Sequence, residues 1–96
     1  MTFSFHPEAE AEFLDAIEYY ESLESGLGYD FAIEVRTAIQ RAEAFPLAWA
    51  SLDGEVRRSL VRRFPFGVVY AEDSEGLFIL AVMHLHRAPD SWKSRR

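Results

Sequence analysis

The chain reads as an α+β domain, with an N-terminal strand followed by an antiparallel helical hairpin packed on one face of a small, mostly antiparallel β-sheet. Three observations lead there. Two apolar stripes at helical spacing, broken by Gly26 and Gly28, occupy residues 7–45. Short apolar runs punctuated by turn residues occupy residues 56–85. At 96 residues, 49% hydrophobic and 15% aromatic, the chain suffices for one core, and residues 1–96 read as a single domain with a tail from about residue 88.

Residues 2–5 alternate apolar Phe3 and Phe5 with polar neighbours, as an initial strand does. Pro7 suits the first turn of a helix, where its missing N–H costs nothing, and Glu8, Glu10 and Glu12 sit near the positive end of the helix dipole. Ala9, Phe13, Ala16, Ile17, Tyr20 and Leu23 form the first stripe. Phe31, Val35, Ala38, Ile39, Ala42 and Phe45 form the second, which Pro46 ends. Residues 47–54 read as a loop, anchored by Trp49 and turned by Asp53-Gly54. Residues 56–64 read as a strand, Pro65-Phe66-Gly67 as a turn or bulge, and residues 68–72 as a second strand. Asp73-Ser74-Glu75-Gly76 is a hairpin loop. Residues 77–85 are apolar on both faces, which marks a central strand. With both helices on one side, the opposite sheet face is expected to be open to a partner.

The net charge of −6 hides a division. Residues 1–56 carry twelve acids against Arg36 and Arg41, a balance of −10. Residues 57–96 carry eight bases against Glu72, Asp73, Glu75 and Asp90, a balance of +4. This places a local basic surface on an acidic body, either as a binding face or as a solvated one. The chain has no cysteine, which excludes disulfides and thiol chemistry and fits a reducing cytoplasm. No basic region followed by an apolar run opens it, and no apolar stretch approaches the roughly 20 residues of a membrane helix. A cytoplasmic protein without a membrane segment is expected.

Three motifs carry a family resemblance. Phe5-His6-Pro7-Glu8-Ala9-Glu10, leading to Ile17-Glu18-Tyr19-Tyr20-Glu21, resembles the first helix of ParE-type toxins. Arg62-Arg63-Phe64-Pro65-Phe66-Gly67-Val68-Val69-Tyr70 is similar to the RRFPY-G-x-x-Y block of that group. Ala81-Val82-Met83-His84-Leu85-His86-Arg87-Ala88-Pro89, followed by Trp92, resembles the closing A-V-x-H-x-x-R-x-P-x-x-W pattern. The ordered set spans almost the whole chain. The resemblance to the RelE/ParE toxin superfamily implies the toxin of a type II toxin–antitoxin pair, of the plasmid-stabilisation kind, neutralised by a cognate antitoxin and meeting operator DNA only through it. It implies two target classes: DNA gyrase, for ParE-like members not known as enzymes, and messenger RNA on the ribosome, for RelE-like metal-independent endonucleases. A non-toxic remnant that keeps only the antitoxin contact is a third reading.

Metal-free RNA cleavage needs a base for the 2′-hydroxyl, an acid for the leaving oxygen and cations for the phosphate. His84, Arg63 and Arg87 are the candidates for those roles. Against this, glycine stands at Gly67, where the RNA-cleaving relatives carry an arginine before the apolar pair and tyrosine, and no tyrosine follows Tyr70. The gyrase-directed, non-enzymatic reading therefore leads, with Arg57, Arg58, Arg62, Trp92, Arg95 and Arg96 as target-binding candidates. The plainer reading of His84 is a strand-end histidine bonded to backbone. His84 and His86 share a face, but without cysteine or a third ligand neither metal nor cofactor is expected. Alternation does not say which face of residues 56–64 is exposed, because Pro65 can mark a bulge. Phe64 and Tyr70 read as core. Glu10, Glu18, Glu21 and Glu34 either select basic residues on the antitoxin or serve solubility.

Overall fold

Each helix start in the computed structural model, which describes residues 2–87 and 91–95, is built from local chemistry. Strand β1 (Phe3–Phe5) leads through extended His6 into α1 (Pro7–Leu23). Pro7 stands at the start of the helix, and the Glu8 backbone N–H donates to His6 Nδ1 at 3.1 Å, so His6 is the N-cap. Gly26, at φ 90°, turns the chain into α2 (Leu27–Ala44). The start of α2 has no cap of its own. The Glu21 carboxylate of α1 accepts from the N–H groups of Gly26 (3.0 Å) and Gly28 (3.1 Å) instead. Glu21 therefore has a structural task. A Cβ on Gly28 would lie 2.5 Å from the Ile17 carbonyl oxygen, so only glycine lets the helices approach this closely.

The sheet has five strands in the order β1-β5-β4-β3-β2, with β2 (Ser51–Asp53), β3 (Val56–Leu60), β4 (Phe66–Asp73) and β5 (Gly76–His84). Only β1 runs parallel to its neighbour, pairing Phe3 with Leu77 and Phe5 with Ile79. The remaining pairs are antiparallel. The helical hairpin covers one face, where Phe31, Val35 and Ile39 of α2 meet Val68 and Tyr70 of β4 and Ile79 and Val82 of β5. The buried hydroxyl of Ser59 donates to the Ala38 carbonyl at 3.0 Å, and Tyr70 donates to the Pro46 carbonyl at 2.8 Å, so these polar groups are satisfied. Tyr70 and Phe64 lie in the core.

Four expectations need correcting. The strand expected over residues 56–64 ends at Leu60, and Phe66 and Gly67 open β4 instead of forming a turn. Proline cannot extend the ladder. The chain reverses with Arg63 at φ 71°, Val61 N–H donates to the Phe66 carbonyl at 2.9 Å, and Phe64 drops between Tyr20 and Phe31, with ring centres 4.8 and 5.1 Å away. Second, a short strand, β2, lies inside the segment read as loop. Third, the last member of each apolar stripe, Leu23 and Phe45, is exposed, at the very end of its helix.

Fourth, the sheet face away from the helices is not open along its centre. Trp92, 4% exposed, packs there with Val56, Val69, Ala71, Leu80 and Met83. A bulge widens this second core: Val69 pairs with Ala81 and Tyr70 with Ile79, leaving Leu80 unpaired, so Leu80 and Ala81 both face Trp92 before Val82 returns to the helix side.

Candidate functional site

The pairing of β3 with β4 decides the faces of the basic strand. Arg57 pairs with Tyr70 on the helix side, and its Nη1 donates to the Trp49 carbonyl at 2.6 Å. Arg58 pairs with Val69 on the opposite side, where its Cγ and Cδ lie across the space that a Cβ on Gly67 would need, at 2.8 and 2.7 Å. An arginine at position 67 would displace that stem. Arg62 is exposed. Arg63, at the reversal, faces the α2 carboxylates Asp30 (3.7 Å) and Glu34 (3.9 Å), and its guanidinium carbon stands 5.7 Å from the Phe64 ring centre. Glu34 is thus engaged with Arg63.

The tail is not the exposed aromatic–basic element that composition suggests. Trp92 is core, and the Arg95 side chain is only 10% exposed. Strand β1 covers the edge of β5 only as far as the bond from His6 N–H to the Ile79 carbonyl. Beyond it, two side chains take over. Arg95 Nη1 donates to the Leu80 carbonyl at 3.0 Å, and Val82 N–H donates to Glu12 Oε1 at 3.1 Å. Arg95 in turn grips Glu12 at 2.8 and 3.0 Å and stands 3.3 Å from Glu8. The hydrogen bond to Glu12 raises the guanidinium pKa still further, against the effect of burial. The pair satisfies edge groups that would otherwise be orphaned at a sheet border. Residues 88–90 and 96, including the candidate Arg96 and the Ala88-Pro89 part of the closing motif, lie outside the described residues.

His84 ends β5 with its ring 5.4 Å from that of Phe66 and 5.1 Å from that of His86. Its Nδ1 accepts the His86 backbone N–H at 3.1 Å. In the neutral ring that bond puts the proton on Nε2, so Nε2 offers a donor and not a basic lone pair. Of the three candidates for RNA cleavage, His84 and Arg87 border one cleft and Arg63 does not. Arg87 shares Glu12 with Arg95, at 3.3 Å, while Arg63 is held by α2. Among the described residues no three of His, Asp and Glu stand close enough to share a metal ion.

That cleft, about 240 Å³, opens on the sheet face away from the helices. Arg58, Arg87 and Lys93 are its cationic lining residues, His84 borders it, and among the described residues no carboxylate lines it. Leu52, Met83 and Trp92 supply apolar wall. Lys93 was not among the residues singled out from the sequence, although its place beside Trp92 in a basic tail was a usable signal. The indole N–H of Trp92 is buried and has no acceptor among the described residues.

No family model matches the sequence, and no curated protein does. Among solved structures, a chain described as belonging to the "Chromosomal ParDE TA system from P. aeruginosa" superposes with a TM-score of 0.74. It is 15% identical, and the match covers 88% of this chain and 95% of that one. This chain shares its fold with that one. The strand, helical hairpin and mostly antiparallel sheet expected from the sequence are the observed ones, and near-complete mutual coverage leaves little of either chain outside the shared scaffold. Among the described residues no helix is long and apolar enough to cross a membrane.

Proposed function

We propose that this chain is the ParE-like toxin of a type II toxin–antitoxin pair, neutralised by a cognate antitoxin and acting on a protein target, DNA gyrase, without cutting RNA. The observation that carries the reading is the fold shared over 88% of this chain with a chain of a ParDE system. The ordered motifs in residues 5–21, 62–70 and 81–92 point the same way. A scaffold of this kind hosts more than one activity, so the choice of target rests on the site.

Three features favour a protein target over messenger RNA. The His84 ring, with Nδ1 occupied by backbone, presents a proton on Nε2 where a general base would need a lone pair. Arg63 is engaged by Asp30 and Glu34, away from the cleft that His84 and Arg87 border. The net charge of −6 offers little of the counterion release on which binding to a ribosome or RNA depends.

The test is induction of the chain alone in bacteria, following labelled thymidine and methionine, alongside supercoiling by purified gyrase with added protein. Early loss of thymidine incorporation and inhibited supercoiling are expected, with both reversed by the antitoxin. Early loss of methionine incorporation with intact supercoiling would overturn the target in favour of RNA cleavage, and unimpaired growth would overturn the toxin reading itself.

A further inference from the structure

Among the arginines of the described residues, Arg58 stands apart. Arg41 and Arg57 donate to backbone carbonyls, Arg63 faces two carboxylates, and Arg87 and Arg95 share Glu12. Arg36 and Arg62 are exposed, so solvent can satisfy them. Arg58 is half-buried, its stem is packed over Gly67, and among the described residues it has neither a hydrogen bond nor an ion pair. A guanidinium drawn partly out of water and left without an anion is costly unless an anion arrives. Arg87, which also reaches Glu12, and Lys93 border the same cleft; among the described residues no carboxylate lines it and the buried indole N–H of Trp92 lacks an acceptor. An unmet guanidinium and an apolar wall therefore share one concavity, on a chain whose residues 1–56 carry a balance of −10.

We propose that this cleft docks an acidic peptide segment of the toxin's protein target, with Arg58 taking a carboxylate and the wall of Leu52, Met83 and Trp92 taking a neighbouring apolar side chain. The inference rests on the reading of a protein-directed toxin and deepens it. A volume of about 240 Å³ is large enough for one bulky side chain together with a carboxylate. The planar fork of an arginine matches a carboxylate in two parallel hydrogen bonds, and the Arg58 stem, lying over Gly67, has fewer rotamers to lose on binding than a fully exposed side chain. Nucleic acid fits less well. The cleft offers one aromatic ring for stacking among aliphatic walls, and its few cations lie on a chain that is acidic overall.

The experiment is a titration of the full chain, followed by amide and indole N–H resonances, with a short peptide alternating Glu and Leu. Its controls are the same peptide with Gln for Glu and a single-stranded RNA. The expected result is that the Glu peptide shifts the Trp92 indole N–H and the Met83 amide, weakening as salt is raised, while neither control saturates those signals. Arg58→Gln should weaken binding roughly tenfold or more, Arg58→Lys, which keeps the charge but loses the planar fork, should weaken it less than Arg58→Gln does, and Arg36→Gln should leave it unchanged. Equal affinity in wild type and Arg58→Gln, shifts confined to other surfaces, or tighter binding of the RNA at the same resonances would each overturn the proposal. The titration needs no toxicity. If the chain halts DNA synthesis and Arg58→Gln halts it equally, the cleft assignment fails while the toxin reading stands. If the chain is harmless, the toxin reading fails and the titration still judges the cleft.

Discussion

The clasp between Glu12 and Arg95 joins residues at opposite ends of the chain, and its removal has a calculable effect. The two side chains are 13% and 10% exposed, so this is a largely buried pair and not a surface bridge. Breaking a buried pair by deleting one partner costs about 3–5 kcal/mol, because the survivor stays buried and uncompensated. Here Arg87, 3.3 Å from Glu12, still offers the carboxylate a partner when Arg95 is lost, while loss of Glu12 strands Arg95 and the Val82 N–H together. We therefore expect about 2–3 kcal/mol for Arg95→Met and about 3–4 kcal/mol for Glu12→Leu. In a domain of this size each kilocalorie shifts the melting temperature by roughly 4–8 °C, so both variants should melt at least about 8 °C lower. The double variant leaves no stranded charge and should cost no more than the worse single one. The assay is urea unfolding of all four proteins by far-ultraviolet circular dichroism, read as a double-mutant cycle. Additive losses, or single losses below about 0.5 kcal/mol as for an exposed bridge, would refute the account.

Other outcomes follow from the same packing. Burial pushes the Tyr70 phenol up to about 12, with Arg57 lowering it and Glu72 raising it. Because its folded pKa lies above the unfolded value of about 10, stability from the neutral phenol is complete below pH 10 and is lost as pH rises toward 12, by up to about 2–3 kcal/mol. Tyr70→Phe should cost about 1 kcal/mol at neutral pH, through the lost bond to Pro46, and should flatten that alkaline decline. An unchanged decline on alkaline titration would show that another group drives it. Gly28→Ala forces a methyl against the Ile17 carbonyl and should cost about 1–3 kcal/mol by denaturant unfolding, whereas helix propensity alone predicts stabilisation. Phe31→Ala empties a site ringed by Tyr20, Phe64 and Phe66 and should cost about 3–5 kcal/mol in the same measurement.

Much of the architecture was legible because it is written locally. Periods of three and four residues announce α1 and α2, Pro7 and Gly26 mark where they start, and alternation with turn residues announces the strands. The site was less legible. Arg57 and Arg58 are neighbours of one residue type, yet one is tied to Trp49 and the other lies across Gly67 with no partner among the described residues. Trp92 and Arg95 carried the signature of an exposed contact and are instead a core residue and a buried clasp. Both differences arise from contacts between residues far apart in sequence, which no window along the chain contains.

From sequence alone, then, come the fold class, the order and approximate extent of the helices and strands, the apolar stripes that build the core, and the segregation of charge into an acidic and a basic part. Each follows from steric and hydrophobic preferences expressed over a few residues. Tertiary structure alone decided which arginine faces the cleft, how the edge of β5 is closed and what covers the second sheet face. Strand parity made the first decision: in the unbroken register of β3 with β4, Arg57 stands opposite Tyr70 on the helix side and Arg58 opposite Val69 on the other. Chain closure made the others: only when residues 91–95 return beside α1 and β5 do Glu12 and Arg95, 83 positions apart, become neighbours.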